Sequence, residues 1–158
     1  VHYSSDYVYH NIDHRPLKET DPTTPKGIYA QSKLAGEQTI TASGCQAITI
    51  RTSWVYSEFG NNFVKTMLRL GVERDTLSVV NDQIGCPTYA TDIATSTMAM
   101  IAQYPYNIES QITVNYANEG QISWYDFAAE IFRLSNIKIE LKTCFELLDS
   151  TFISQCCG

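Results

Sequence analysis

The sequence predicts an α/β protein built on a sheet, and three observations carry that prediction. Short β-rich runs at 47–52, 77–80 and 112–115 alternate with longer helix-forming stretches, the order expected of strands joined through helices. Two of those stretches repeat apolar residues at helical spacing, Phe63, Met67 and Leu70 in one and Trp124, Phe127, Ala128 and Ile131 in the other. At 158 residues with 44% apolar content the chain is long enough for one ordinary globular core, and nothing in its composition suggests disorder or a fibrous repeat.

Taken in order, residues 1–3 read as the end of a buried strand, which places Ser4, Ser5, Asp6 and Tyr7 at its carboxyl edge, where open α/β sheets bind ligands. The stretch 11–26 carries Pro16, Pro22, Pro25 and several charges and reads as a surface loop. Residues 29–41 are mostly good helix formers, and Gly44 stands where a left-handed cap would end them. A strand follows at 47–52 and an amphipathic helix at 62–71, then a strand at 77–80, a helix at 91–103 and a strand at 112–115. Ser123 stands three residues before Asp126, a capping-box spacing that starts the helix carrying Trp124 and Phe127. Beyond Lys142 the pattern degrades, and the closing Ser-Gln-Cys-Cys-Gly has no periodicity or turn logic; it reads as a truncation or frameshift scar.

A formal net charge of −6 with no basic run excludes a general nucleic-acid surface, because tracking phosphates requires a positive field. A small anionic substrate needs only a few local cations and stays open. No apolar stretch approaches the roughly 18 residues of a membrane span, so no membrane partner is expected and the chain reads as soluble and cytoplasmic. Five cysteines without a CxxC pair, and histidines only at positions 2, 10 and 14, match neither a disulfide framework nor a metal site, and no metal is expected.

The strongest chemical signal is Tyr29-Ala-Gln-Ser-Lys33. A spacing of four on a helix puts phenol and ammonium on one face. A phenol titrates near pH 10 when unperturbed and gives up its proton sluggishly at neutral pH unless a cation favours the phenolate. A serine hydroxyl from the first strand end, Ser5 or Ser4, would complete a Ser/Tyr/Lys set able to hold and protonate a carbonyl oxygen. Each element has an ordinary alternative: a half-buried aromatic beside a solvated lysine, and a turn-forming serine.

Three motifs in order, Tyr3-Ser-Ser-Asp-Tyr-Val8, Tyr29-x-x-x-Lys33 with Gly36-Glu37, and Arg51-Thr-Ser-Trp-Val-Tyr56, resemble the extended short-chain dehydrogenases/reductases. Asn62-Phe-Val-Lys-Thr-Met67, Asp82-Gln-Ile-Gly-Cys-Pro-Thr88 and Tyr116-Ala-Asn-x-Gly-x-x-Ser-Trp-Tyr-Asp-Phe-Ala128 narrow the resemblance to the dTDP-4-dehydrorhamnose reductases, over about residues 1–135.

The resemblance implies part of a doubly wound, Rossmann-like parallel sheet with a small substrate-binding subdomain. It divides the chain into a second part of the dinucleotide-binding domain at 1–56, interleaved substrate-binding and sheet elements at 57–142, and an atypical tail at 143–158. It implies that NADPH, or alternatively NADH, reduces the C4 keto group of dTDP-4-dehydrorhamnose. Tyr29 would protonate the developing alkoxide and Ser5, which replaces the family's threonine, would orient the oxygen. Lys33 would tune the phenol and bind nicotinamide ribose, with Ser53 also on the cofactor side. Asp6, Tyr7, Trp54 and Thr88 are implied on the substrate side; Lys65 and Arg69, four apart on the 62–71 helix, are spaced to clamp the substrate diphosphate and read at least as well as solvated surface. Trp54 reads equally well as core, and Thr88 as a structural loop residue.

A glycine-rich phosphate turn, which the family carries in first βαβ units ahead of the segment matched by Val1, does not occur in this sequence. By itself the chain is therefore expected to be inactive and marginally stable. A homodimer is left open. Two other readings share the Tyr-x-x-x-Lys pattern or the fold: a related nucleotide-sugar epimerase or dehydratase, and a non-catalytic partner like the regulatory subunit of methionine adenosyltransferase.

Overall fold

The computed structural model describes residues 1–9, 15–103 and 111–145. His10, His14, the start of the 11–26 loop and all but the first residues of the 143–158 tail lie outside them. In chain order the strands and helices are β1 (His2–Ser5), α1 (Gly27–Ser43), β2 (Ala47–Thr52), β3 (Val55–Tyr56), α2 (Phe63–Glu73), β4 (Thr76–Val80), β5 (Ile84–Gly85), β6 (Thr88–Tyr89), α3 (Ala90–Gln103), β7 (Gln111–Tyr116), β8 (Ile122–Ser123), α4 (Trp124–Ser135) and β9 (Glu140–Cys144). The chain divides into two compact units, one of Val1–Ser53 with Ala90–Asn118, the other of Trp54–Tyr89 with the residues from Glu119 onward.

The first unit is a parallel sheet in the order β1-β2-β7. The central strand β2 is buried from Ile48 through Thr52, as expected of a parallel strand covered on both faces. Side chains alternate across a sheet, and the register sets Ser4 beside Arg51 and Tyr3 beside Ile50. Arg51 bonds Glu37 of α1, whereas Tyr3 Oη on the opposite face donates to Thr97 Oγ1 of α3 at 3.1 Å. α1 and α3 therefore cover opposite faces, which is the doubly wound arrangement. α1 ends at Gly44, whose φ of 65° is the left-handed conformation a side chain disfavours. β1 runs through Ser5, so Ser4 and Ser5 belong to the strand rather than to a turn after it.

The second unit packs α2 against α4 over strands β4 and β9. Its core comprises Met67, Leu70, Leu77, Val79, Phe127, Ala128, Ile131 and Phe132. Burying each large apolar side chain here stabilises by about 1.5–3 kcal/mol. Gly71 permits the close approach of the helices, since a methyl group there would fall 2.6 Å from Phe132 Cε1. Asn62 caps α2 by accepting from Lys65 N–H, and Ser123 with Asp126 forms the full capping box of α4. β9 pairs in parallel with β4, so the region past Lys142 that lacks a sequence pattern begins inside a strand.

Candidate active site

The site in the first unit is built at the carboxyl end of β1. Ser5 is the last residue of that strand, in register with Thr52, which is in turn in register with Tyr116 of β7. These three stand in a row at the sheet edge where parallel α/β folds bind ligands. The chain then tightens into a 3-10 turn at Asp6–Val8, with Ser5 as its cap. Ser5 Oγ accepts from Tyr7 N–H at 3.3 Å and donates to Asp6 Oδ1 at 3.2 Å, so the hydroxyl is oriented by its own turn. Burial pushes the Asp6 carboxyl up to about 6, even though the Ser5 hydroxyl and the Asp6 and Tyr7 backbone N–H groups favour its ionised form.

α1 brings Tyr29 and Lys33 to this strand end. Lys33 Nζ donates to the Tyr3 carbonyl at 3.2 Å and lies 5.8 Å from the centre of the Tyr29 ring. Tyr29 meets Tyr7 edge to face at 6.2 Å, and with 56% of its surface exposed it stays open to an incoming molecule. Asp6, Tyr7, Tyr29 and Lys33 thus gather around the segment from Tyr3 to Tyr7 that carries Ser5. Ser53, buried, follows directly on β2. At the end of that strand Thr52 Oγ1 is buried with no hydrogen-bond partner among the described residues.

The remaining residues singled out from the sequence lie in the second unit. Trp54 adopts φ 44°, an outlier for a bulky residue. Its indole stacks on Trp124 with ring centres 3.5 Å apart and planes within 11°. Trp124 Nε1 in turn donates to Gln83 Oε1 at 3.0 Å. Lys65 and Arg69 do not converge on a common point by hydrogen bonding. Lys65 Nζ donates to the Glu58 carbonyl at 3.0 Å, while Arg69 pairs with Glu73 one turn along α2 at 2.7 Å, both side chains exposed. Thr88 is fully buried and donates to the Cys86 carbonyl at 3.0 Å, the use expected of a structural loop hydroxyl.

Sequence reasoning gave no role to Glu37, Arg51 or Tyr9. The Arg51 fork donates to both carboxylate oxygens of Glu37, from Nε at 3.0 Å and from Nη2 at 2.6 Å, and its third nitrogen reaches Tyr9 Oη. Tyr9 Oη donates to Asn115 Oδ1 of β7 at 2.8 Å, and its ring lies 4.7 Å from the guanidinium carbon. Burial raises the Glu37 carboxyl, but the hydrogen bonds and charge of Arg51 outweigh it and leave the group below its usual range. The signal was present as Gly36-Glu37 and Arg51 in the quoted motifs; what was missing was the pairing.

Ser5 thus stands on the carboxyl edge of a doubly wound parallel sheet, with the helix that carries Tyr29 and Lys33 packed against the same strand. The family model described as RmlD substrate binding domain matches residues 1–146, and the chain belongs to that family. It is 44% identical over 132 residues to the dTDP-4-dehydrorhamnose reductase of Salmonella typhimurium, an alignment covering 84% of this chain and 44% of that one. Among solved structures, a dTDP-4-dehydrorhamnose reductase of Clostridium acetobutylicum superposes with a TM-score of 0.83 at 38% identity, covering 91% of this chain and 49% of that chain. The Bacillus anthracis reductase, solved in complex with NADP, gives a TM-score of 0.81 at 39% identity, covering 92% and 50%. The chain spans about half the length of the curated relatives it matches.

Proposed function

We propose that this chain is the catalytic and substrate-facing part of an NADPH-dependent reductase that converts the C4 keto group of dTDP-4-dehydrorhamnose to the alcohol of dTDP-L-rhamnose. The observation that carries the reading is the gathering of Tyr29 and Lys33 against the β1 end that bears Ser5. The likeness to reductases of this name, one of them holding NADP, supports it.

In the proposed reaction the keto oxygen accepts a hydrogen bond from Ser5 Oγ, whose hydroxyl turns from Asp6 Oδ1 to the substrate. The hydride that reduces C4 comes from NADPH when it is bound. As negative charge grows on the oxygen, Tyr29 Oη delivers a proton to it, and the carbonyl becomes an alcohol with one hydride and one proton added. Lys33 stabilises the phenolate left behind, as a cation beside a developing anion does. Lys33 and Ser53 are the residues that would hold the nicotinamide ribose. The unpartnered Thr52 Oγ1 at the same strand end suits a hydroxyl-rich group, so this part of the site fits the cofactor. Asp6 and Tyr7 would face the sugar. The proposed location is the cytoplasm; no helix among the described residues is long and apolar enough to cross a membrane.

The test uses the polypeptide of the full reading frame, with NADPH oxidation followed in the presence of the dTDP-4-keto sugar. Tyr29→Phe removes the proton donor and is expected to lower kcat by roughly 10²–10⁴-fold, the usual worth of a general acid. An unchanged rate in that variant would remove Tyr29 from the mechanism.

A further inference from the structure

We infer that the buried Glu37–Arg51 pair, together with Tyr9, sets the position of α1 on the sheet, so that Glu37 and Arg51 are positioning residues for the Tyr29 proton transfer. The inference deepens the reading proposed above and rests on it.

Residues 29, 33 and 37 are spaced by four along α1 and lie along one side of the helix, with Glu37 one turn beyond Lys33. Among the residues of α1 only Ala30 and Glu37 are buried. Apolar contact along this helix comes from Ala30 and the half-buried Leu34 and Ile40, whereas α4 buries Phe127, Ala128, Ile131 and Phe132. What engages α1 deep in the sheet is a planar, two-pronged bond from Arg51 of β2, with the Arg51 and Glu37 side chains 8% and 9% exposed. A fork of this kind fixes orientation as well as distance, because both N–H groups must lie in the carboxylate plane. The third guanidinium nitrogen is occupied by Tyr9, which is bonded in turn to Asn115 of β7. Arg51 is thereby fixed from two sides before it fixes Glu37. Buried ion pairs contribute little net stability compared with apolar residues of the same volume, so location rather than stability is what this one provides.

The pair can be exchanged for apolar residues to separate the two roles. The double substitution Glu37→Leu with Arg51→Met leaves no buried charge and is expected to fold with a thermal midpoint close to that of the parent. Two readouts are then compared. One is the ring resonances of Tyr29, assigned through Tyr29→Phe and shifted by the Tyr7 ring beside it; these need no turnover and are expected to move. The other is kcat of the full-length polypeptide, expected to fall roughly 100-fold with KM little changed, as a misplacement of about an ångström does. In a Tyr29→Phe background the double substitution should add little further loss, because the pair acts through the Tyr29 phenol. Glu130→Gln, which breaks an exposed pair on α4, should leave both readouts unchanged. Should the double variant fail to fold, Arg51→Lys, which keeps the charge beside Glu37 and loses the two-pronged bond, is read the same way. A folded variant with unmoved Tyr29 resonances overturns the inference, as does one whose resonances move while kcat holds. Absence of turnover in the parent would defeat the functional reading instead, and the resonances would still decide the positioning.

Discussion

In the unit that carries Ser5, Tyr29 and Lys33, the central strand buries Thr49, Arg51 and Thr52 beside Ile48 and Ile50, and charge is satisfied inside the fold. In the other unit the buried core is almost wholly apolar, and partly buried Trp54, Tyr56, Phe63 and Trp124 pack against it. Apolar contacts are non-directional and tolerate small slips, whereas hydrogen-bonded charges are directional and fix a group in place. The same difference makes the first unit sensitive to lost partners and to pH, and the second sensitive to shape.

The largest expected effect is that of Arg51→Met alone. It strands Glu37 as an unpaired buried carboxylate, and removing one partner of such a pair costs about 3–5 kcal/mol, unlike the joint exchange of both. Urea unfolding followed through the methyl resonances of Ile48 and Ile50 in β2 measures this in the first unit. A loss below about 1 kcal/mol would mean that Glu37 is as well served by water, and the contrast between the units would weaken.

Next in size is Gly85→Ala in the second unit. A methyl group at 85 would fall 2.4 Å from Trp54 Cε2 and 2.7 Å from its Nε1. Trp54 already sits at φ 44° with Trp124 stacked on it, so the ring has little room to yield. Overpacking of this kind costs about 1–3 kcal/mol. Both tryptophans of the chain lie in this unit, so near-ultraviolet circular dichroism of the stacked indoles reports on it alone. An unchanged spectrum and stability would show that Trp54 is loosely held and free to serve elsewhere.

How far the sequence disclosed this arrangement depended on whether the signal was local. β2 was readable residue for residue as a β-branched run, Gly44 as a left-handed cap, and Ser123 with Asp126 as a capping box, because each is decided by neighbours in the chain. β9 was not, since its partner β4 is far away in sequence and its Glu-Leu-Lys-Thr-Cys carries little apolar alternation. The two-residue strands β3, β5, β6 and β8 are too short to show a period at all. The same division runs through the site. Tyr29 and Lys33 announce themselves at a helical spacing, but Glu37, at the next such step, reads by default as a solvated helix carboxylate. Only the topology that sets β2 beside α1 reveals its partner. Likewise Trp124 was legible as part of a helix face, whereas its stacking on Trp54 requires the folded chain.

The smallest expected effect is the most specific to the first unit, because it concerns opposing titrations there. Asp6, with its carboxyl raised from 3.8 to about 6, is held ionised at neutral pH against the preference of the fold. That penalty is present above about pH 6 and is relieved as the group protonates down to about 3.8, so stability should rise over this interval. Glu37 and Glu19 have lowered values, Glu37 through Arg51 and Glu19 first through the Asn115 backbone N–H. Their contribution is present above the ordinary glutamate value of 4.5 and is lost as pH falls through their folded values. The first unit should therefore be most stable near pH 5, when followed through Ile48 and Ile50. Asp6→Asn keeps an acceptor for Ser5 Oγ while removing the buried charge, and is expected to stabilise at pH 7 by roughly 1–3 kcal/mol and to abolish the rise between pH 7 and 5. If the rise survives in that variant, another group carries it. If Asp6→Asn is instead destabilising at pH 7, the carboxylate has a partner that favours its charge, and the first unit's polar interior extends to the turn beside Ser5.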